Sequence, residues 1–149
     1  MNNNNAIVLN KQAFLIYGEP ASKANSRRAV TFKGKPRFIK SSKALNYEKM
    51  FKQQIAFLPG SSRSSSATPR RKQEVLFKHD VVVEIYIYYA SRRPDLDESL
   101  ILDLLQGVAY ENDRQVKEKH IYWGLDKENP RSEIFVWEKE IVDNIPAKS

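Results

Sequence analysis

The stretch Asp80-Val-Val-Val-Glu84-Ile-Tyr-Ile-Tyr-Tyr-Ala90 decides the fold. It is rich in β-branched and aromatic residues and short enough to be a strand, and so reads as a central position in a sheet. Other elements fall into place around it. Residues 12–17 (Gln-Ala-Phe-Leu-Ile-Tyr) form a second apolar strand, ended by Gly18-Glu19-Pro20. A polar basic loop follows, with Lys23, Asn25, Arg27 and Arg28. Residues 29–32 and 37–39 flank Lys33-Gly34-Lys35-Pro36 and read as a small hairpin. Ser41 or Ser42 can cap the next helix, where Ala44, Tyr47, Phe51, Ile55 and Leu58 recur on one face before Pro59-Gly60 stops it.

Downstream, residues 99–106 make a short helix closed by Gly107. Residues 115–123 and 133–138 read as two strands joined by a turn around Asp126–Pro130. The expected class is α+β: a mixed, largely antiparallel sheet with one longer and one short helix. A single domain over residues 1–149 is expected, with a flexible, basic, Ser-rich surface loop at 61–72.

Composition narrows the partners. Apolar residues make up 41% of the 149, enough for a core and against a disordered chain. There is no cysteine, which excludes disulfides and Cys-based zinc sites and fits a reducing cytoplasm. The N-terminus has no signal-peptide pattern, and no apolar run reaches membrane-spanning length. Lys and Arg number 25 against 18 Asp and Glu, a net charge of +7 that favours a polyanionic partner. A basic, solvated surface without a partner is the plain alternative.

Within this basic chain, carboxylates gather between Arg93 and Asp113. Asp95 and Asp97 follow the central strand in a segment that Pro94 keeps extended, so side chains at i and i+2 share a direction. The helix from Ser99 begins there, and its first amides favour anions. Asp113 comes after that helix, which is short enough to return the chain to the same neighbourhood. Three carboxylates around one cleft suit a hard cation such as Mg²⁺, with Mn²⁺ as a substitute, and that chemistry hydrolyses phosphodiesters. Asp-x-Asp after a strand also serves ordinary turn and capping chemistry. Lys23, Asn25, Arg27, Arg28, Lys33, Lys35, Arg92 and Arg93 are the candidate DNA contacts. Phe32 and Phe38 are candidates for base stacking. Tyr86, Tyr88 and Tyr89 suit core or dimer packing, Trp123 and Trp137 suit the core, and His79 and His120 are read as structural or surface residues.

Pro94-Asp95-Leu96-Asp97, Leu102-Asp103-Leu104-Leu105-Gln106-Gly107 and Tyr110 with Asn112-Asp113-Arg114-Gln115-Val116 together resemble the RusA-type Holliday-junction resolvases. Gly18-Glu19-Pro20, the loop with Lys23, Asn25 and Arg28, and Ser42-Lys43 with Tyr47 are similar to that family's N-terminal half. The resemblance runs from Ile16 to Val136. It implies a metal-dependent endonuclease that resolves four-way DNA junctions as a homodimer, with Asp95, Asp97 and Asp113 holding Mg²⁺. A phage or bacterial cytoplasmic setting goes with it. The chain departs from the family pattern at Glu98 and Asn112, where the family has Asn and Asp, and in a slightly shorter segment between Asp97 and Asp103. It also lacks a Lys that the family uses in this helix, since residues 98–109 hold no Lys or Arg. Arg92, Arg93, Arg114 or Lys117 are candidates to replace that charge; otherwise the chain is a weakened or inactive binder of branched DNA. Glu98 either adds a metal ligand or caps the helix, and the cap is favoured.

Overall fold

A computed structural model describes residues 11–56 and 74–140. The elements run β1 (Gln12–Tyr17), β2 (Arg27–Phe32), β3 (Lys35–Lys40), α1 (Ser42–Ala56), β4 (Val81–Tyr89), α2 (Ser99–Leu105), β5 (Val116–Leu125) and β6 (Arg131–Glu138). Two short 3₁₀ turns, Lys23–Asn25 and Asp113–Gln115, stand before β2 and β5. The expected α+β order holds. Leu58 and the loop at 61–72 lie outside the described residues.

The main sheet has the order β1-β6-β4-β5, so β4 is interior as its composition demands. β6 runs antiparallel to both β1 and β4, while β5 runs parallel to β4. β5 and β6 are joined by a turn, as expected, but they are not a hairpin. The turn carries the chain past the end of β4, where Asp126 N–H donates to the Tyr89 carbonyl (2.8 Å). A parallel neighbour requires a crossover connection, and α2 supplies it.

Alternation sets the faces. Val81, Val83, Ile85, Ile87 and Tyr89 are buried, and they pack with Phe14 and Ile16 of β1, and with Ile134 and Val136 of β6. The helices close this face with Ala44, Tyr47 and Phe51 from α1, and with Leu100, Ile101 and Leu105 from α2. Burying each large apolar side chain contributes roughly 1.5–3 kcal/mol before entropy is counted.

The opposite face carries half-buried aromatics. Tyr86 stacks on Tyr122 with centroids 4.8 Å apart. The Arg131 guanidinium lies 4.1 Å from the centre of the Tyr88 ring. Trp137 belongs to this half-buried layer, beneath Lys11. Trp123 is not a core residue either: it is 37% exposed, stacks on Tyr89, and donates its indole N–H to the Pro94 carbonyl (3.2 Å). Its polar edge finds a partner only in the loop, which holds the ring at the sheet rim.

Gly124 pairs with Tyr88 across β4 and β5. A Cβ there would sit 2.6 Å from the Tyr88 ring, which Arg131 also contacts. Gly124→Ala is therefore expected to lower folding stability by about 1–3 kcal/mol. Chemical denaturation reads this directly, and an unchanged midpoint would contradict the packing described.

Candidate active site

The segment after β4 does not hang free. The Tyr89 hydroxyl donates to the Asp95 carbonyl (3.1 Å) and accepts from Asp97 N–H (3.2 Å). Together with the Trp123–Pro94 bond, this fastens residues 94–97 to the rim of the sheet. Tyr89 is buried on the core side, and that burial, the largest influence on it, pushes its phenol pKa up. It therefore stays a neutral donor.

Asp95 is exposed and Asp97 half-buried. The Asp97 Oδ1 accepts from Ser99 N–H (2.9 Å) and from the Ser99 hydroxyl (2.6 Å). Its Oδ2 accepts from Lys23 N–H (2.6 Å), 74 residues away in the chain. Burial alone would raise this carboxyl's pKa. The bonds from the Ser99 hydroxyl, the Lys23 amide and the Ser99 amide outweigh it and hold the pKa below the usual carboxylate range. An ionised carboxylate has about four acceptor positions, so Asp97 keeps capacity for another ligand.

Asp97, not Glu98, satisfies the first amide of α2. Glu98 occupies the cap position but makes no side-chain cap bond, which corrects the capping role favoured for it from sequence. Its helical backbone angles (φ −95°, ψ −1°) differ from the extended geometry that lets a side chain fold back on the helix start. Glu98 Oε1 instead meets Lys119 Nζ on β5 at 2.6 Å.

Asp113 opens the 3₁₀ turn before β5 and is exposed. The turn is held by a capping box. The Asn112 carboxamide accepts from Arg114 N–H (2.9 Å), and Gln115 Oε1 accepts from Glu111 N–H (2.8 Å) and Asn112 N–H (3.2 Å). The Gln115 amide nitrogen in turn donates to the carbonyls of Phe77 (3.1 Å) and His79 (2.8 Å). An Asn at 112 does the capping work that an Asp would do. The spacing Asn112-x-x-Gln115 is the signal that could have disclosed this anchor.

β4 and β5 are parallel and Val116 pairs with Val81, so Asp113 starts near the opposite end of β4 from Asp95. Between them, Glu98 reaches across to Lys119 on β5. Lys119 lines a cleft of ≈ 250 Å³ together with Leu102, Asp113, Val116, Lys117 and Glu118. A water occupies roughly 30 Å³, so a hydrated ion or a phosphate group would fit. Glu98 is thus tied to a residue of the cleft wall, and Asp113 lines the same cleft. The convergence is incomplete. Among the described residues no three His, Asp or Glu side chains stand close enough to hold a metal together. The carboxylate oxygens of Asp95, Asp97 and Asp113 are of the type a hard cation takes.

Of the expected DNA contacts, Lys23, Asn25, Arg27, Arg28, Lys33, Lys35, Arg92 and Arg93 are all exposed. Lys23 and Asn25 lie in the 3₁₀ turn that docks on Asp97 through the Lys23 amide. Arg92 and Arg93 sit between β4 and Asp95. His79 and His120 are exposed, as a surface role requires. Lys119 is the residue that sequence reading missed. Both it and Lys117 line the cleft, but the approach of Glu98 to Lys119 is not written in the local sequence.

The family of endodeoxyribonuclease RusA matches residues 18–137. The chain belongs to the RusA endodeoxyribonuclease family. The matched span runs from the glycine that follows β1 to the penultimate residue of β6, and so includes Lys23, the Asp95–Asp97 loop, α2 and Asp113. No curated protein matches the chain. Among the described residues no helix is long and apolar enough to cross a membrane.

Asp97 has a lowered folded pKa, so its stabilising effect is full above its unfolded value of about 3.9 and is lost as pH falls through the folded value. Asp97→Asn is expected to be less stable than the parent at neutral pH, because an amide nitrogen cannot accept the Lys23 bond. The gap should close as the pH is lowered below about 4. Denaturation curves from pH 7 down to pH 3 test this, and a gap constant with pH would contradict it.

Proposed function

We propose that this chain is a metal-dependent, structure-selective endonuclease that hydrolyses phosphodiesters in four-way or otherwise branched DNA. One observation carries the reading. An ionised Asp97 sits where the basic N-terminal loop, the acidic loop after β4 and the start of α2 meet. Asp95, Asp97 and Asp113 would hold Mg²⁺, or Mn²⁺ in its place. When bound, the metal would polarise the phosphate and make a water nucleophilic at neutral pH.

The chain's own residues divide the remaining work. Lys23, Asn25, Arg27 and Arg28 bind backbone phosphates near the acidic loop, and Arg92 and Arg93 do so from its other side. Lys33 and Lys35 extend that grip outward along the hairpin. Ser99 and the Lys23 amide orient the Asp97 carboxylate. Lys119 and Lys117 place positive charge beside Asp113, where the phosphorane builds up negative charge. This answers the absence of any Lys or Arg from residues 98–109. Incoming phosphate competes with Glu98 for Lys119, so DNA binding and completion of the site are coupled.

A homodimer suits the substrate, because two matched nicks in a two-fold junction need two sites related by the same symmetry. The exposed Leu15, Tyr17 and Tyr122 are apolar surface available for such a contact. A second reading is a binder of branched DNA that cleaves poorly, favoured by the incomplete convergence of the carboxylates.

The test uses a labelled four-way junction with Mg²⁺ or Mn²⁺, and binding measured separately in Ca²⁺. Asp97→Asn and Asp113→Asn are expected to abolish cleavage while still binding the junction. Lys119→Met is expected to slow cleavage by about 10²-fold, with Lys119→Arg recovering much of it. Cleavage by Asp113→Asn at the parent rate would remove Asp113 from the site. Binding by the parent without cleavage in either metal would favour the second reading.

A further inference from the structure

The hairpin β2–β3 is a sheet of its own, apart from the main one. Every residue of both strands is exposed except Val30, which is half-buried. An isolated two-stranded ribbon is marginal in water, so this one depends on its base and on whatever covers it. The base is well tied. Ser41 N–H donates to the Ser26 carbonyl (2.8 Å), the Ser41 hydroxyl to the Asn25 carbonyl (2.6 Å), and Lys40 pairs with Glu48 (2.7 Å). The tip is a tight turn with both central residues left-handed, Lys33 at φ 50° and Gly34 at φ 75°.

Its charge is of one sign. Arg27, Arg28, Lys33, Lys35, Arg37 and Lys40 lie on it, and no Asp or Glu occurs between Glu19 and Glu48. Two copies of such a ribbon would repel each other, whereas a polyanion is attracted.

The two phenylalanines differ. Phe32 has Lys33 Nζ at 5.6 Å and the Arg37 guanidinium at 5.5 Å from its ring centre, so its π-face is already engaged by cations. Phe38 is 74% exposed, the most exposed large apolar side chain among the described residues. It pairs across the ribbon with Ala29, which is too small to cover it. Alternation puts Lys40 of its own strand and Arg27 diagonally across on the same face. The ring therefore stands bare, with both cations on its base side, where the ribbon ends only two rungs away, or roughly 7 Å. That base continues into Lys23, whose amide holds Asp97.

We propose that the β2–β3 ribbon docks on DNA where strands diverge, and that Phe38 stacks on a base left unpaired there. The proposal rests on the endonuclease reading for its placement, but the contact itself needs no cleavage. A flat aromatic face accepts any base, while Arg27, on the ribbon-base side of the ring, takes the adjoining phosphate. The base then lies close to the phosphate presented to the acidic loop. Selectivity for branched over linear DNA follows, because only a branch offers a base without a partner at little cost.

The experiment uses the full chain with four-way junctions carrying 2-aminopurine either at the branch or within an arm, in Ca²⁺. The parent should change the emission of the branch probe and not of the arm probe. Phe38→Ala should abolish that change and weaken junction binding by about tenfold, with linear-duplex binding and the melting temperature unaltered. Phe32→Ala should keep the branch signal, and Phe38→Trp should keep it and show tryptophan quenching. A branch signal and an affinity unchanged in Phe38→Ala would overturn the proposal. So would Phe38-dependent binding to phosphatidylserine vesicles as tight as that to the junction. If the parent binds and stacks but never cleaves, the endonuclease reading fails and the ribbon's role stands.

Discussion

The Asp97 carboxylate is the junction on which the functional half of this molecule depends. One oxygen fixes the first turn of α2 through Ser99, and the other takes the amide of Lys23. Three donors on one carboxylate keep it ionised despite its partial burial. The bond to Lys23 closes a loop of more than seventy residues between the basic N-terminal segment and the acidic loop. A basic segment and an acidic one are thereby held side by side.

β4 makes that meeting possible. Its inward side chains anchor the sheet to both helices, and its last inward residue, Tyr89, turns its hydroxyl to the loop that follows. The parallel step to β5 would leave Asp113 at the far end of the strand. The Glu98–Lys119 contact ties the start of α2 to β5, and the capping box at Asn112–Gln115 fixes Asp113 in the cleft that Lys119 also lines. Among the described residues no three carboxylates come together there.

Much of this was legible in the sequence, for local reasons. β1 has the bounds its apolar run gave, and β4 lies within one residue at each end, because short apolar, β-branched and aromatic runs are written in the chain itself. The face of α1 through Ala44, Tyr47 and Phe51 follows from helical spacing. Pairing partners are not written locally. That β6 lies between β1 and β4, and that β5 is parallel, depends on how the core closes, and no periodicity encodes it. The same limit applies at the site. The hydrogen-bonded docking of Asp97 on Lys23 and the pairing of Lys119 with Glu98 are long-range contacts that residue type and spacing do not encode. Glu98 was misassigned because the residue before a helix is usually its cap, and here the preceding Asp97 reached the amide first.

The central claim is that one divalent ion is shared between the loop after β4 and the turn before β5. Amide NMR with substoichiometric Mn²⁺ tests it most directly, since paramagnetic broadening falls off steeply with distance from the ion. The account predicts broadening centred on residues 95–99, on Asp113 with its neighbours, and on Lys23, all lost in Asp97→Asn. Broadening confined to one of the two acidic segments, or centred elsewhere on the chain, would contradict it.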